Sequence, residues 1–249
     1  MIILLTDFDE SEYVGMMKGV ICSISPETRI IDLTHSIPPQ SIREGAWVLY
    51  KSYRYFPRGS IFVCVVDPGV GTERDAILIT TENYIFIGPD NGLMSPAAED
   101  DGIKEISKLM VDKQASMTFH GRDVFAKSAA YYCIDKIQGL LGGFKPELSV
   151  NLKFYQEGHS GEVVRIDRFG NVITNIPAAS ATQYRLTSPS LKWTLPWRAT
   201  YQDGPESELF LITNSYGTLE IAARNSSAVD NIPLRIGDRL TLKPIEYQG

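Results

Sequence analysis

The sequence predicts an α/β protein in which a mainly parallel sheet flanked by helices is followed by a smaller all-β barrel or sandwich. Strand-like and helix-like apolar patterns alternate over roughly the first 140 residues, whereas short apolar segments separated by turn residues follow from residue 161. Alternating β and α segments favour parallel strands with helices on the sheet faces. Many short strands favour a barrel or sandwich. We therefore predict an α/β domain over residues 1–150 and a β domain over residues 160–249.

The elements of the N-terminal domain follow from the spacing of its apolar residues. The chain opens on an apolar strand, and Ser11 can cap a helix whose apolar positions recur at helical spacing until Pro26 ends it. A Gly142-Gly143 pair is expected to break the chain near the end of the domain. The elements between are predicted as a strand at 29–33, a helix from 41 to about 55, a strand at 61–66, a hairpin of 76–80 and 84–87, and a helix from about 123 to 137.

The C-terminal part shows little helical periodicity. A polar stretch at residues 146–160 is the expected linker, and Gly, Asn, Ser and Pro turns separate the apolar segments that follow it. The best strand candidates are residues 163–166, 172–176, 209–213, 218–222 and 240–244.

Composition excludes several classes of protein. The net charge is −6 and there is no basic run, so we expect no nucleic-acid partner. No apolar stretch approaches the ~18 residues of a membrane span, and the N-terminus reads as a strand and not as a signal peptide. The three cysteines are unclustered, which predicts buried, reduced thiols in a cytoplasmic protein and no metal site.

Two polar clusters point to an enzyme site. The apolar run at 61–66 ends on Asp67 and a Pro-Gly turn, which places this carboxylate at the carboxyl edge of a sheet, where open α/β folds bind ligands. Arg74 lies close enough along the chain for a tight loop to return it to Asp67. His120 precedes a helix N-terminus, which favours a neutral imidazole, a bound anion or a water. A carboxylate, a guanidinium and an imidazole are therefore available for chemistry.

Asp7 also follows an apolar strand, so it is expected at the same sheet edge as Asp67. It either binds both hydroxyls of a ribose or merely caps a turn or the following helix. The chain contains no GxGxxG or GxxxxGK[ST] motif, and a nucleoside held without phosphates therefore fits better than a dinucleotide. Two polar loops of the β domain, at residues 167–175 and 214–217, form either a binding edge or ordinary turns. His35 and His159 receive no role.

Six motifs in this order resemble those of the S-adenosyl-L-methionine hydroxide adenosyltransferases, and the resemblance spans nearly the whole chain. Members of that family hydrolyse S-adenosyl-L-methionine to adenosine and L-methionine, and fluorinase and chlorinase are their halogenating relatives. The motifs are Leu5-Thr6-Asp7-Phe8, Tyr13-Val14-Gly15-Met16-Met17-Lys18-Gly19, Val66-Asp67-Pro68-Gly69-Val70-Gly71-Thr72, Phe119-His120-Gly121-Arg122-Asp123, Phe169-Gly170-Asn171 and Asn214-Ser215-Tyr216-Gly217.

The resemblance implies roles for particular residues and an assembly. Family members are homotrimers that need no cofactor, and their active sites lie between the larger domain of one subunit and the β domain of the next. The β domain of this chain would thus complete the substrate site. The implied residues are Asp67, Arg74 and His120 for catalysis, Asp7 for the ribose diol, Asp167 and Ser215 for the methionine end, Asn171 with Glu220 to Ala223 near the adenine, and Tyr216 as a further substrate-binding residue.

The chain departs from the family pattern in its first loop. The family usually has Thr-Asp-Phe-Gly before the first helix, whereas Asp9 follows Phe8 here and the loop is one residue shorter. Asp9, Glu10 and Glu12 are the candidates for the second acid of that loop, and the sequence does not choose among them.

The implied reaction is an in-line attack of water on C5′ that releases a neutral thioether from the sulfonium. Asp67 and His120 would hold the water and accept its proton, with either as the base, while Arg74 orients Asp67. Halogenation is the first alternative, but a carboxylate about 4 Å away repels a halide by roughly 4 kcal/mol at an effective dielectric near 20. Fluorinase and chlorinase carry tyrosines in place of Asp67 and His120. The second alternative is a sensor of adenosine or S-adenosyl-L-methionine, which would not need the catalytic residues together.

Overall fold

The chain folds into two units, each built around its own seven-stranded sheet in the residues that the structure describes. The structure is a computed structural model and describes residues 1–245. Unit 1 is Met1–Lys153, and unit 2 begins at Phe154.

Unit 1 combines strands and helices in an alternating order up to its third strand. A π-helix, Gly121–Ala126, leads directly into its last α-helix, and short 3-10 helices occupy Tyr53–Tyr55 and Ile137–Leu140. Its other elements are β1 (Ile2–Thr6), α1 (Glu12–Ile24), β2 (Ile30–Thr34), α2 (Ile42–Ser52), β3 (Ile61–Val65), β4 (Ala76–Thr81), β5 (Ile85–Pro89), α3 (Ser95–Asp101), β6 (Ile103–Leu109), α4 (Lys127–Cys133) and β7 (Leu141–Phe144).

The sheet of unit 1 is mixed, so the prediction of a mainly parallel sheet is not confirmed. Its strand order is β2-β1-β3-β5-β4-β6-β7. The pairings of β1 with β2, β1 with β3 and β3 with β5 are parallel, whereas those beyond β5 are antiparallel. Parallel strands need a crossover of about a dozen residues or more, usually a helix, and β4 and β5 are joined by a hairpin that is too short for one.

The core of unit 1 explains why its central strands are continuous apolar runs. Every residue of β1 and β3 is buried, as expected for parallel strands covered on both faces. Val14, Met17 and Ile21 of α1 join one core cluster with alternate residues of β1 and β3 and with the segment around Phe125. The helical spacing of α1 in the sequence therefore corresponds to its buried face.

Unit 2 contains seven strands and two 3-10 helices, Tyr201–Asp203 and Val229–Asn231, in the described residues. The five strands expected from the sequence are confirmed, and β10 and β11 are additional. The strands are β8 (Ser160–Ile166), β9 (Val172–Pro177), β10 (Gln183–Thr187), β11 (Lys192–Pro196), β12 (Leu209–Thr213), β13 (Thr218–Ala223) and β14 (Arg239–Pro244).

The sheet of unit 2 is antiparallel and nearly closed. Its order is β11-β10-β14-β8-β9-β13-β12. A bridge between Trp197 and Leu211 joins the chain after β11 to the edge strand β12, and the Arg198 N–H donates to the Leu211 carbonyl at 2.8 Å. The unit is therefore barrel-like, because the chain that leaves one edge strand pairs with the other edge strand.

Three local expectations are wrong. The helix expected to reach residue 137 ends at Cys133, and Asp135 takes a left-handed φ of +57° that a helix cannot continue. Gly142 and Gly143 lie in β7 instead of breaking the chain. Of the three cysteines, only Cys64 is buried, since Cys22 is exposed and Cys133 is partly buried.

Among the described residues, no helix has the length and apolar character that crossing a bilayer requires.

A buried ion cluster fixes the segment after β7 to the hairpin of β4 and β5. The Lys145 ammonium lies 2.9 Å from Asp75 Oδ2 and 3.2 Å from Asp90 Oδ2, and the Ser149 N–H also donates to Asp90 at 2.9 Å. The Asp90 side chain is only 1% exposed. A carboxylate at that depth needs its cation, because desolvation penalises an unpaired charge.

We predict that Lys145→Met destabilises the protein by about 3–5 kcal/mol, since it leaves the Asp90 carboxylate buried without a counterion. Chemical denaturation measures the change. Lys104→Met is the matched control, because Lys104 and Glu82 pair at 3.2 Å with side chains 51% and 60% exposed, and such pairs contribute about 0–1 kcal/mol. Equal costs for the two substitutions would contradict the prediction.

Candidate active site

A cavity of about 350 Å³ lies in unit 1 at the carboxyl ends of β1 and β3. The two strands pair in parallel with Thr6 opposite Val65, so the residues that follow them emerge side by side. This is the edge at which open α/β sheets bind ligands. The lining residues are Asp7, Phe8, Pro39, Gln40, Val65, Asp67, Pro68, Val70, Thr118, Phe119, His120 and Gly121.

Arg74 returns to Asp67 as the short loop between β3 and β4 predicts. Arg74 Nε lies 3.0 Å from Asp67 Oδ1 and 3.1 Å from Oδ2, and Nη2 donates to Oδ2 as well. The Asp67 and Arg74 side chains are 5% and 11% exposed. A guanidinium fork of this kind fixes the orientation of the carboxylate as well as neutralising it.

The loop that carries Arg74 packs closely against the segment that precedes His120. Gly71 has a φ of +75°, and a Cβ at this position would lie 2.2 Å from the Met117 carbonyl oxygen. Only glycine fits, because it both adopts this backbone conformation and leaves room for the neighbouring backbone. The distance between the Asp67 loop and the His120 segment is thus set by the backbone itself.

His120 stands at the start of the π-helix, and Arg74 bonds to it directly. Arg74 Nη2 lies 2.8 Å from His120 Nδ1, and the histidine is 3% exposed. The sequence predicted a helix start here but not its π geometry, which is frequent at functional sites. Arg74 therefore bonds to Asp67 and His120 at once.

The electrostatics keep His120 neutral. Burial lowers the pKa of His120, and the positive charge of Arg74 lowers it further, against the smaller opposing effects of Asp67 and Asp123. Because a guanidinium can only donate, Nδ1 is the acceptor and the ring proton is on Nε2. His120 Nε2 and Arg74 Nη1 are buried and have no hydrogen-bond partner within residues 1–245. Both are N–H donors available to a bound group.

Asp7 lies at the same cavity and is held by a backbone group. Its Oδ2 accepts a hydrogen bond from the Gln40 N–H at 2.8 Å. Gln40 and Pro39 also line the cavity, whereas only a chain break at the two prolines was expected there. Asp9 has a φ of +51°, the left-handed conformation that glycine adopts most easily.

The acids of the first loop lie outside the cavity wall. Asp9, Glu10 and Glu12 are exposed, and the cavity-lining residues include none of the three. The loop is instead packed by aromatic rings: Phe8, Tyr13 and Phe119 meet edge to face with centroids 4.9–5.9 Å apart. This contact, which the sequence did not reveal, joins the Asp7 turn to the residue before His120.

A second cavity, of about 530 Å³, lies in unit 2. Asp167 organises its loop: Oδ1 accepts the N–H groups of Phe169 and Asn171, each at 2.9 Å, and Oδ2 accepts the Asn171 side-chain amide at 3.0 Å. Such hydrogen bonds are common in turns, but this turn also lines the cavity. The residues that line it are Asp167, Phe169, Asn171, Tyr201, Ala223, Asn225 and Ser226.

Three further sequence candidates in unit 2 do not line this cavity. Glu220 is 3% exposed and accepts a hydrogen bond from the Tyr201 hydroxyl. Burial raises the pKa of Glu220, and the charge of Asp167 adds to the effect. Ser215 and Tyr216 lie in the turn between β12 and β13. Tyr201 was not a sequence candidate, because its 3-10 helix falls in a polar segment without a recognisable pattern.

The chain is a two-domain enzyme. Its α/β unit carries a carboxylate, a guanidinium and an imidazole together at the sheet edge, and a β-barrel-like unit follows. The family model of the SAM hydroxide adenosyltransferase N-terminal domain matches residues 2–139, and that of the C-terminal domain matches residues 161–241. The chain belongs to the SAM hydroxide adenosyltransferase family.

Individual relatives agree with this assignment. A protein of Methanocaldococcus jannaschii named (R)-S-adenosyl-L-methionine hydrolase is 43% identical over 73% of this chain and 68% of its own. One of that name from Thermus thermophilus is 34% identical over 94% of this chain and 95% of its own. The crystal structure of an uncharacterized conserved protein from Thermotoga maritima superposes with a TM-score of 0.86 at 34% identity, covering 97% of this chain and 100% of that one. Fluorinases are matched at lower identity, 24–25%.

We predict that Arg74→Gln raises the pKa of His120 towards its ordinary value near 6.5, because the substitution removes a positive charge while Asp67 and Asp123 remain. NMR titration of the imidazole carbon resonances measures the shift, and with three histidines in the chain a His120→Gln variant assigns the signal. An Arg122→Gln variant is the control, since Arg122 bonds to Asp123 and not to His120. A His120 pKa that stays unchanged in Arg74→Gln would contradict the prediction.

Proposed function

We propose that this protein hydrolyses S-adenosyl-L-methionine to adenosine and L-methionine by in-line attack of a water on C5′. The observation that carries the proposal is the buried cluster of Asp67, Arg74 and His120 beside Asp7 in one cavity. The relatives named (R)-S-adenosyl-L-methionine hydrolase, matched over most of the chain, support it.

The chemistry needs a positioned water more than a strong acid. The leaving sulfur carries a positive charge and departs as a neutral thioether, so no proton has to be delivered to it. Holding the water in line with the C5′–S bond can supply several kcal/mol of the rate acceleration. The buried setting of Asp67 and His120 limits the competing solvent around that water.

We propose that Asp67 accepts the proton of the water and that His120 donates to its oxygen. His120 Nδ1 is occupied by Arg74, so the face left to the substrate is the Nε2–H donor. Asp67 is the acceptor of the cluster, and its two oxygens keep lone pairs beyond the bonds to Arg74. Arg74 holds both partners and stabilises the negative charge that develops on the water.

We propose that Asp7 binds the ribose diol, because its Oδ2 is already oriented by Gln40 and the carboxylate lies at the cavity. In unit 2 the proposed contacts are Asp167, Ser215 and Tyr216 at the methionine end, and Asn171, Glu220 and Ala223 near the adenine. We further propose a homotrimer in which these groups are supplied to each site by a neighbouring subunit. Glu220 would act through the Tyr201 hydroxyl that covers it.

Halogenation is disfavoured by charge. The Asp67 carboxylate lines the cavity, and at about 4 Å it would repel a halide by roughly 4 kcal/mol at an effective dielectric near 20. A binding protein without catalysis is disfavoured because it has no use for a buried guanidinium shared by a carboxylate and an imidazole.

We predict that Asp67→Asn lowers kcat by at least about 100-fold while binding of adenosine changes little, because a proton acceptor typically contributes 10²–10⁴-fold. Chromatography of the products, in buffers with and without chloride, measures the reaction. Asp230→Asn, an exposed acid in unit 2, is the control. Full turnover in Asp67→Asn, or 5′-chloro-5′-deoxyadenosine as the product, would overturn the proposed mechanism.

The names of the relatives specify the sulfonium configuration, and we predict that this protein also prefers the (R) epimer at sulfur. The two epimers carry the same three substituents on sulfur in opposite arrangements, so with the ribose and methionine ends held, only one aligns C5′–S with the held water. Initial rates with each purified epimer give kcat/KM for both. A higher kcat/KM for the (S) epimer would contradict this preference while leaving the hydrolase proposal intact.

A further inference from the structure

We infer that His35 is a positioning residue for Asp7: it fixes the turn after β1 so that the Asp7 carboxylate meets the two ribose hydroxyls. The inference rests on the proposed function, in which Asp7 binds the diol. The sequence assigned His35 no role, because its partners lie far from it along the chain.

His35 connects an ion pair at the surface to the end of β1. His35 Nδ1 lies 2.9 Å from Thr6 Oγ1, and Nε2 lies 3.1 Å from Asp32 Oδ1. Asp32 in turn pairs with Lys18 at 2.6 Å. Lys18 and His35 contribute to a lowered pKa of Asp32, against the opposing effect of its own burial. A charged carboxylate therefore faces the Nε2 side of the ring.

The tautomer of His35 follows from Asp32. A carboxylate oxygen 3.1 Å from Nε2 favours the ring proton at that nitrogen, so Nδ1 is the acceptor of the Thr6 hydroxyl. Thr6 Oγ1 in turn accepts the Phe8 N–H at 3.2 Å. The order of acid, histidine and hydroxyl is like that of a catalytic triad, but Thr6 is fully buried and does not line the cavity beside Asp7. These contacts instead orient the residue directly before Asp7.

The backbone of the same loop supports the turn from its other side. The His35 carbonyl accepts the Asp9 N–H at 2.8 Å, and Gln40, five residues on, donates to Asp7 Oδ2. Asp9 and Gln40 have φ values of +51° and +64°. Side chains disfavour that region, so external bonds must hold both residues there. His35 thus bonds to the residue before Asp7 and to the turn after it.

Two amide variants separate the contact of the ring with Thr6 from its contact with Asp32. In His35→Asn, the amide oxygen can replace Nδ1 as the acceptor for Thr6, whereas in His35→Gln the amide nitrogen can replace only Nε2 as the donor to Asp32. Calorimetry measures the Kd of adenosine and of 2′,3′-dideoxyadenosine for each variant. We expect His35→Gln to weaken adenosine by about tenfold and to leave the dideoxy ligand within about twofold, with His35→Asn close to wild type for both. His159→Leu, an exposed histidine of unit 2, is the control.

A double-mutant cycle with Asp7→Asn completes the test. If His35 acts through Asp7, His35→Gln adds no further loss in the Asp7→Asn background. The inference is overturned if His35→Gln weakens both ligands equally, weakens neither, or adds fully to Asp7→Asn. If the wild-type protein hydrolyses its substrate and His35→Gln binds adenosine as tightly as the wild type, the inference alone is refuted. If the wild-type protein neither binds adenosine nor hydrolyses S-adenosyl-L-methionine, the proposed function is refuted as well.

Discussion

The candidate site depends on a single guanidinium that bonds to two different acceptors. Arg74 uses Nε and Nη2 to hold the Asp67 carboxylate, and Nη2 also donates to His120 Nδ1. One cation thereby sets the orientation of the acid and the tautomer of the histidine, and it adds to the effect of burial in keeping the ring neutral. Since the cluster is buried, water screens these charge interactions less than it would at the surface. Removing the cation would change all three properties together.

The parallel direction of two neighbouring strands places this cluster. β1 and β3 are neighbouring parallel strands that end level with each other, so Asp7 and Asp67 emerge at one edge. The antiparallel half of the sheet has another task. It carries the Asp75–Lys145–Asp90 cluster, in which Asp75 directly follows Arg74 and its carbonyl accepts the Asp90 N–H. The backbone of Arg74 thus adjoins Asp75, a residue held in place by the ion pair with Lys145.

Residues whose setting is local were predictable. Asp7 and Asp67 directly follow apolar runs, so the neighbouring residues predict their position at the sheet edge. His120 precedes a helix, so its position at a helix start is predicted in the same way. Lys145 and His35 could not, because their partners lie 70 and 29 positions away. The mixed sheet was missed because β6 and β7 were not expected from the sequence, and both pair antiparallel in it; the hairpin of β4 and β5 was expected. β10 shows alternating burial at Tyr184 and Leu186, a signal that its polar neighbours obscured.

The contact at Gly71 limits how such a site can diverge. Because this residue touches the Met117 carbonyl without a side chain between them, the spacing of the two loops is a property of chain length and backbone path. Exchanging exposed residues on either loop would alter the surface and leave the spacing intact. Inserting or deleting a residue would shift Arg74 relative to His120 and separate the shared hydrogen bonds. New substrate preferences are therefore more accessible through the walls formed by Phe8, Val70 and Thr118 than through remodelling of these loops.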